Sequence, residues 1–417
     1  MAAATLTVYP EAASVHDGRL SIGGCDVLEL AREYGTPAYV VAEDDLRSRA
    51  REFVRAMGAH HGGRARVMFA AKAFPCTAVL RIFAEEGLGV DVASAGELFM
   101  ALRAGFDPGR IVVHGNAKSL AELRAAVDQR LVVAIDNLDE VDRLERLAGA
   151  GPQPVLLRVV PEVHTDTHAA VATGHADQKF GLTLAEAAAT IDRLNAAGWA
   201  DVRGIHAHIG SQLFDLGPYR EAVAAIAELG PFPVYDLGGG LAAAYTPEHR
   251  PPSVDGWVAG VTGAAHELLD AREAELWIEP GRALVVNAGV TLYTVESVKH
   301  RDSTWVAVDG GMSDNLRPML YGAPYSADIA DRLGGEGTRC HLAGKHCESG
   351  DVIAWDVRLR DPRPGDVVVT PVTGAYGHAL ANNYNGVPRP PVILCAGGEA
   401  RVAVRRETLE DLVARDV

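Results

Sequence analysis

Residues 88–116 read LGVDVASAGELFMALRAGFDPGRIVVHGN. A short apolar run at 88–92 is followed by a run with helical spacing at 95–104 and by a second apolar run at 111–114. Ser94, with Glu97 three residues later, forms the capping-box pattern that is typical of a helix start. A strand, a helix and a strand in this order indicate a unit that adds parallel strands to one sheet.

The same alternation continues on both sides of this stretch. Short β-branched runs predict eight strands, at 66–71, 88–92, 111–114, 131–135, 155–160, 202–208, 233–237 and 275–279. Helical spacing predicts eight helices, at 44–57, 76–86, 95–104, 119–128, 138–148, 183–197, 217–229 and 255–272. This alternation predicts an α/β fold, a closed (β/α)₈ barrel. An open doubly wound sheet is the alternative, because periodicity alone does not distinguish the two.

The rhythm changes after about residue 285. Alternating or β-branched runs follow at 289–298, 304–309, 351–359, 366–372 and 391–396, with few long helices before 406–415. We therefore expect a barrel domain over 36–285 and a β-rich C-terminal domain over 286–417. Residues 1–35 carry the strand-like pieces TLTVY and LSIGG, and we expect them to join the β-rich domain.

Composition excludes several classes of protein. The 417 residues hold 39 Lys and Arg against 55 Asp and Glu, a formal charge of −16, so nucleic acid is not an expected partner. No window of about 18 apolar residues occurs, and we expect no membrane span. The N-terminus has no basic region of a secretory signal, and the five cysteines form no CxxC pair. These features predict a cytoplasmic protein.

Polar residues follow the predicted strands where a barrel enzyme carries its active site. They are Lys72, Asp91, His114, the pair His206 and His208, the segment Asp236–Gly240 and the turn Glu279–Arg282. Lys72 is either a nucleophile with a desolvated amine or a lysine that reaches into solvent. Gly238–Gly240 suits a phosphate cradle or a flexible turn, and it lacks the GxGxxG spacing of a dinucleotide site.

Histidines raise the question of a metal site. His206 and His208 share one face of a strand, where they would bind metal, stack on a ring or pack in the core. His164, His168 and His175 form a loose cluster. Since the sequence has neither an HExxH nor a CxxC motif, we expect no metal.

Three later segments carry further candidates. Arg317 near Tyr321 suits a bound carboxylate or a loop salt bridge. Cys347–Asp351 is a polar turn with one thiol, and the plain interpretation is a surface turn. Asn382–Gly386 is rich in turn residues and is most simply structural.

Taken together, these segments resemble the alanine-racemase-fold, pyridoxal-phosphate-dependent decarboxylases, and within them the diaminopimelate decarboxylases. The resembling motifs are AAKAF (70–74), GVDVASAGEL (89–98), HGNAKS (114–119), THAAVATG (167–174) with KFG (179–181), HAHIGSQ (206–212), DLGGGL (236–241), EPGRALV (279–285), VDGGMSDNLRPMLYG (308–322), CESGDVIA (347–354) and GAYGHALANNYN (374–385). Phe74 stands where many members have Asn. The motifs occur in the family's order, and the ordered set is specific.

The resemblance implies a cofactor, pyridoxal phosphate, and a role for each matched residue. Lys72 would hold the cofactor covalently, and His208 would stack on its ring. The groups around its ring and phosphate would be Ser211, Gly239, Gly240, Glu279, Pro280, Gly281, Arg282 and Tyr376. The substrate would be bound by Arg282, Arg317, Tyr321, Glu348 and Tyr376. Cys347 would donate a proton to the carbon that loses CO₂.

The resemblance also implies a homodimer, with Cys347 and Glu348 supplied by the second subunit. The expected reaction is decarboxylation of meso-2,6-diaminopimelate to L-lysine and CO₂, the last step of lysine synthesis by that route. Glu279 favours decarboxylation over racemisation, because an acid holds the proton on the ring nitrogen. Arg317 favours a substrate with a second carboxylate over ornithine or arginine. The alternatives are a decarboxylase for another amino acid or for a carrier-bound or secondary-metabolite substrate, and a non-catalytic pyridoxal-phosphate-binding protein.

Overall fold

The computed structural model describes residues 6–62, 64–149, 151–161 and 179–417. The described chain begins with a small antiparallel sheet and a short helix, which lead into the first long strand. These elements are β1 (Ala13–His16), β2 (Arg19–Ile22), β3 (Cys25–Asp26), α1 (Val27–Tyr34) and β4 (Ala38–Ala42). The LSIGG piece lies partly in β2, whereas the described part of TLTVY, residues 6–9, contains turns and a bend rather than a strand.

Eight parallel strands close into a barrel, which confirms the predicted fold class. They are β5 (Ala65–Ala70), β6 (Gly89–Val92), β7 (Ile111–Val113), β8 (Val132–Ile135), β9 (Gln153–Val159), β10 (Ala200–Ala207), β11 (Val234–Asp236) and β12 (Glu275–Ile278). The closing pair is β12 with β5, in which Trp277 lies opposite Arg66. Side chains from several of these strands, including Met68, Leu156 and Trp277, fill the interior as a packed core.

Helices alternate with these strands at the predicted places. They are α2 (Glu43–His61), α3 (Thr77–Glu85), α4 (Ala95–Ala104), α5 (Leu120–Asp128), α6 (Leu138–Leu147), α7 (Leu184–Ala197), α8 (Gly217–Ile226) and α9 (Val254–Leu268). Ser94 caps α4 by accepting a hydrogen bond from the Glu97 N–H at 3.2 Å. The Glu97 carboxylate accepts from the Ala93 N–H, one residue earlier than in a full capping box. This cap lets α4 begin three residues after the end of β6.

The rest of the chain is mostly strands. Its elements are α10 (Arg282–Val285), β13 (Gly289–His300), β14 (Thr304–Val308), α11 (Arg317–Tyr321), β15 (Asp328–Ile329), β16 (Thr338–Ala343), β17 (Val352–Leu359), β18 (Val367–Thr370), α12 (Gly377–Leu380), β19 (Val392–Ala396), β20 (Glu399–Val404) and α13 (Leu409–Val413). Strand β4 lies between β13 and β19 in this β-rich sheet, although it falls within the segment expected to form the barrel domain.

The chain divides into two compact units. The barrel unit comprises Arg49–Ala242 and Pro251–Arg282, and the β-rich unit comprises Met1–Ser48, Ala243–Arg250 and Ala283–Val417. None of the described helices is long and apolar enough to cross a membrane.

Candidate active site

Four polar side chains converge inside the barrel at the ends of its strands. Glu279 follows β12, His114 follows β7, and His206 and Asp236 lie at the ends of β10 and β11. All four are buried, Asp236 completely. The Nε2 atoms of the two histidines lie against the two oxygens of one carboxylate: His114 is 2.7 Å from Glu279 Oε1, and His206 is 3.2 Å from Oε2. We call these four residues the acid–histidine cluster.

The two acids of this cluster have opposite pKa shifts. Burial alone would raise the pKa of Glu279, but the contacts with His114 and His206 hold it well below its usual range. Burial, and then the charge of Glu279, raise the pKa of Asp236 well above its usual range. Environments that push two neighbouring pKa values apart assign one acid the charge and the other the proton. The lowered pKa of Glu279 favours its ionised form, and the raised pKa of Asp236 favours its protonated form.

The ligand atoms of the cluster lie within 4.8 Å of one another, and their types would also suit a metal ion. Each oxygen of Glu279, however, already faces a histidine nitrogen. Burial lowers the pKa of His206 to about 4, so this ring is neutral and its Nε2–H donates to Glu279. These two contacts suit an ionised acid held between two histidines.

The glycine run after β11 packs on the turn that carries Glu279. The N–H of Glu279 donates to the carbonyl of Gly238 at 2.8 Å. A Cβ atom on Gly239 would lie 2.2 Å from the Glu279 carbonyl oxygen, so no side chain fits there. The Tyr219 hydroxyl donates to the Gly239 carbonyl at 2.7 Å, and Gly240 has a φ of +115°. The loop is a fixed stretch of bare backbone of the kind that binds phosphate.

His208 lies just beyond the end of β10. The Gly239 N–H donates to its Nδ1 atom at 3.3 Å, which places the ring proton on Nε2. Burial, and then the positive charges of Lys72 and Arg158, hold the pKa of His208 well below its usual range. The lowered pKa favours the neutral ring, and covering a neutral ring with a flat ligand costs less desolvation free energy than covering a charged one.

Lys72 lies in the single helical turn Ala71–Ala73 that directly follows β5. Its neighbours Ala71 and Ala73 are buried, but the lysine itself is exposed. In the chain by itself, this exposure fits a lysine that reaches into solvent better than a desolvated amine. Its position at a strand end still suits a nucleophile.

Ser211 and the turn after β12 form the remaining part of the barrel site. Arg282 is buried, and its Nη2 donates to the Ser211 hydroxyl at 2.9 Å. At Gly281, a Cβ atom would lie 2.9 Å from the Cβ of Ala70, just before Lys72. The structure thus brings together the barrel residues that the sequence assigned to one site.

The other predicted residues lie in the β-rich unit. Arg317, on α11, is buried with its guanidinium 4.5 Å from the centre of the Tyr245 ring, and its Nη1 donates to the Tyr325 hydroxyl at 2.7 Å. Tyr321 ends the same helix, and Tyr376 has a left-handed backbone with a φ of +64°.

The Cys347 turn precedes β17, and its thiol is exposed. Glu348 accepts a hydrogen bond from the Tyr384 hydroxyl. The histidines His164, His168 and His175 and the motif at 167–174 lie outside the described residues.

His114, Asp236 and Arg158 have no role implied by their spacing or by the resemblance. His114 and Asp236 were visible at strand ends, but their contact with Glu279 depends on strand register. Arg158, at the end of β9, is buried 4.3 Å from the Phe180 ring centre and 3.4 Å from Asp136 Oδ1. An arginine inside an apolar strand was the available signal, because a buried guanidinium needs a partner.

Comparisons with known proteins agree on one family. A family model described as "Pyridoxal-dependent decarboxylase, pyridoxal binding domain" matches residues 43–286. The diaminopimelate decarboxylase of Actinosynnema pretiosum subsp. auranticum is 46% identical, over 98% of this chain and 95% of that protein. That of Bacillus subtilis is 41% identical, over 96% and 95%.

A crystal structure of diaminopimelate decarboxylase from M. jannaschii in co-complex with L-lysine is 31% identical in sequence and has a TM-score of 0.91. The match covers 98% of this chain and 98% of that chain. The whole length of this chain is thus similar to enzymes of one name. The chain belongs to the diaminopimelate decarboxylase family of pyridoxal-dependent decarboxylases.

Proposed function

We propose that this chain uses pyridoxal phosphate to decarboxylate meso-2,6-diaminopimelate to L-lysine and CO₂. The observation that carries the proposal is the acid–histidine cluster, which keeps one ionised carboxylate, Glu279, at the ends of the barrel strands. Relatives at 41–46% identity over nearly the whole chain carry the name of this reaction, and one similar structure is in co-complex with L-lysine, its product.

The barrel residues fit pyridoxal phosphate. Gly239 and Gly240 offer bare backbone, and Ser211 with Arg282 adds a hydroxyl and a positive charge suited to a phosphate. Among the described residues, the buried atoms His206 Nδ1 and Asp236 Oδ2 have no hydrogen-bond partner. Lys72 supplies the primary amine that attaches an aldehyde. Pro280 and Gly281 lie in the turn beside the site, where a Cβ atom on Gly281 would meet Ala70, and His208 offers a ring face.

The bound cofactor supplies an electron sink for the electrons left behind when CO₂ departs. Glu279 holds a proton on the nitrogen of the ring, because its negative charge stabilises a cationic partner. His114 and His206 keep this carboxylate ionised and fix its direction. A cation in place of Glu279 would oppose that proton, so the site favours decarboxylation over racemisation.

Substrate choice rests on groups that recognise the end of the molecule that does not react. That end of diaminopimelate carries a carboxylate and an ammonium group. Arg282 and Arg317 bind the carboxylate, and Glu348 binds the ammonium, with Tyr321 and Tyr376 as further contacts. Ornithine and arginine present only a cation there, and a buried Arg317 repels it.

Cys347 donates the proton that replaces CO₂. A donor must come within hydrogen-bond reach of the carbon's position from one fixed side. Cys347 is the single exposed thiol of the five, so it can meet a substrate, whereas the other four are buried. Two copies of the chain form a homodimer, in which Cys347 and Glu348 of one copy serve the barrel site of the other. Five free thiols are also consistent with a cytoplasmic enzyme.

The test is CO₂ release by the purified chain with added pyridoxal phosphate. The panel is meso-diaminopimelate, L-ornithine, L-arginine, L-lysine and L-glutamate, with products identified. We expect turnover of diaminopimelate alone and none by Lys72→Ala, while Lys299→Ala, an exposed lysine of β13, keeps the parent's rate. Turnover of another amino acid would move the substrate assignment. Cofactor binding without turnover of any would indicate a carrier-bound substrate or a binding protein.

A further inference from the structure

The turn that carries Cys347 is tied down at its base by one buried carboxylate. Asp351 accepts the His346 N–H at 2.9 Å through Oδ2 and the Met312 N–H at 2.7 Å through Oδ1. Asp351 therefore closes the turn on itself and fastens it to the segment before α11. The tip of the turn, with Cys347, lies beyond these two bonds.

A hydrogen-bonded chain of three side chains reaches that tip. The ring of His346 is buried, with Nε2 2.8 Å from the Ser313 hydroxyl and Nδ1 3.1 Å from Asn385 Oδ1. An amide oxygen only accepts, so Nδ1 carries a proton and donates it to Asn385. The Cys347 N–H donates to the same Asn385 oxygen at 3.4 Å. Two N–H groups converge on this atom, which is why an oxygen belongs there.

The segment around Asn385 holds the turn at more than one point. The Asn382 N–H donates to the Ser313 carbonyl at 2.9 Å, which joins this segment to the same serine. The Tyr384 hydroxyl donates to Glu348, the neighbour of Cys347. Asn385 has a left-handed backbone with a φ of +56°, a conformation that asparagine tolerates better than most residues. We call Asn382, Tyr384 and Asn385 the clasp.

We propose that Asn385 and His346 are positioning residues for Cys347 and set the direction from which its thiol delivers the proton. The inference rests on the proposed function, in which Cys347 is the donor. The amide of Asn385 fixes the backbone on which the thiol stands, and His346 fixes the amide. A turn expected to be structural is thus part of the catalytic arrangement. Misplacing a reacting group by about 1 Å costs about 10²-fold in rate.

The experiment compares three variants of the full chain loaded with pyridoxal phosphate. Asn385→Gly removes the amide but suits the left-handed backbone, and Asn385→Asp keeps an acceptor oxygen. Asn383→Ala is the matched control, because the Asn383 amide donates to Val387 and Glu407, away from Cys347. The measurements are kcat and KM for diaminopimelate, cofactor absorbance and the rate at which iodoacetamide alkylates Cys347, followed by mass spectrometry.

For Asn385→Gly we expect kcat to fall about 10- to 100-fold. KM and cofactor absorbance change much less than kcat, because Glu348 keeps its hydrogen bond from Tyr384 and the other binding groups lie outside this turn. The alkylation rate of Cys347 changes, and Asn385→Asp and Asn383→Ala stay near the parent in every measurement. Product formed in D₂O carries deuterium on one side of the reacting carbon in the parent and on both sides in Asn385→Gly, which a loss of stability alone would not cause.

Parent-like kcat and alkylation in Asn385→Gly would overturn the inference, as would an equal loss in Asn385→Asp. His346→Phe removes the second member of the chain, and its effect on kcat should not add to that of Asn385→Gly. If His346→Phe does not fold, the Asn385 variants still decide the test, because Asn385 is exposed. If the parent releases no CO₂ from diaminopimelate, the proposed function fails, and the alkylation rates alone still decide whether Asn385 positions Cys347.

Discussion

Glu279 Oε2 and His206 Nε2 lie 3.2 Å apart in the barrel interior, although 73 residues separate them in sequence. Each lies at the end of a strand, and the closed parallel barrel brings the two strand ends to the same face. A neutral histidine that donates to a buried carboxylate keeps that carboxylate charged. This contact lets an apolar barrel carry a negative charge where the proposed cofactor ring would place a protonated nitrogen.

Replacing Glu279 by glutamine tests the charge at this position. We expect Glu279→Gln to lose about 10²-fold or more in kcat, because a neutral amide does not hold the ring proton. Cofactor content measured by absorbance should fall much less. Glu275→Gln is the control on the same strand, since Glu275 pairs with Arg66 near the other end of β12. Equal activity of Glu279→Gln and Glu275→Gln would remove the role of Glu279.

We predict that the stability of the folded chain depends on pH through Asp236. Burial and the charge of Glu279 raise the pKa of Asp236 in the folded chain above its value in the unfolded chain. The unfolded chain then releases this proton first as pH rises, so the folded state loses stability between the unfolded and the folded pKa. Asp236→Asn is neutral at every pH and removes this loss. Its Tm should exceed the parent's at about pH 8, with a smaller difference at about pH 5. A Tm difference that does not grow with pH would contradict the raised pKa.

We predict that removing the charge of Arg317 weakens substrate binding rather than cofactor binding. Arg317→Met keeps much of the packing against Tyr245 but removes the charge. Since a hydrogen bond to a charged group contributes about 1.5–3 kcal/mol, we expect KM for diaminopimelate to rise about 10- to 100-fold. Arg339→Met, which changes an exposed arginine paired with Asp356, should leave KM unchanged. An unchanged KM in Arg317→Met would place the carboxylate elsewhere.

We predict that a single methyl group at position 239 displaces the backbone of the phosphate cradle, Gly238–Gly240. A Cβ atom there would lie 2.2 Å from the Glu279 carbonyl oxygen, so Gly239→Ala must push the glycine run away from that turn. We expect a destabilisation of about 1–3 kcal/mol and weaker binding of pyridoxal phosphate, measured by equilibrium dialysis. Gly263→Ala on α9 meets no atom within 4 Å and should keep cofactor affinity unchanged. Parent-like affinity in Gly239→Ala would show that the cofactor phosphate does not use this loop.

The barrel could be predicted because its strands are buried on both faces and its helices have one apolar stripe. Each element therefore has its own period, and the observed bounds of β6 and α4 lie within a residue of those expected. Strand β4 was missed because it pairs with β13 and β19, about 250 and 350 residues further along the chain. The hydrophobic pattern around residues 38–42 does not show whether a strand there joins the barrel or the β-rich sheet.

The same limit applies to the site. The ends of the predicted strands placed Lys72, His208 and Glu279 at one face of the barrel, since parallel strands end at one face, and the resemblance implied their roles. The contacts of Glu279 with His114 and His206 depend on strand register, and the raised pKa of Asp236 depends on burial. Neither register nor burial can be read from the sequence alone. The link from Asn385 to Cys347 spans 38 residues and depends on a left-handed backbone in one turn.

The most direct test of the account is the product formed from meso-diaminopimelate in D₂O by the chain loaded with pyridoxal phosphate. We expect CO₂ and L-lysine with one deuterium, bound to the carbon that lost the carboxylate, with a single configuration at that carbon. Lysine without deuterium there, an epimerised diaminopimelate without CO₂, or no reaction with the cofactor bound would contradict it.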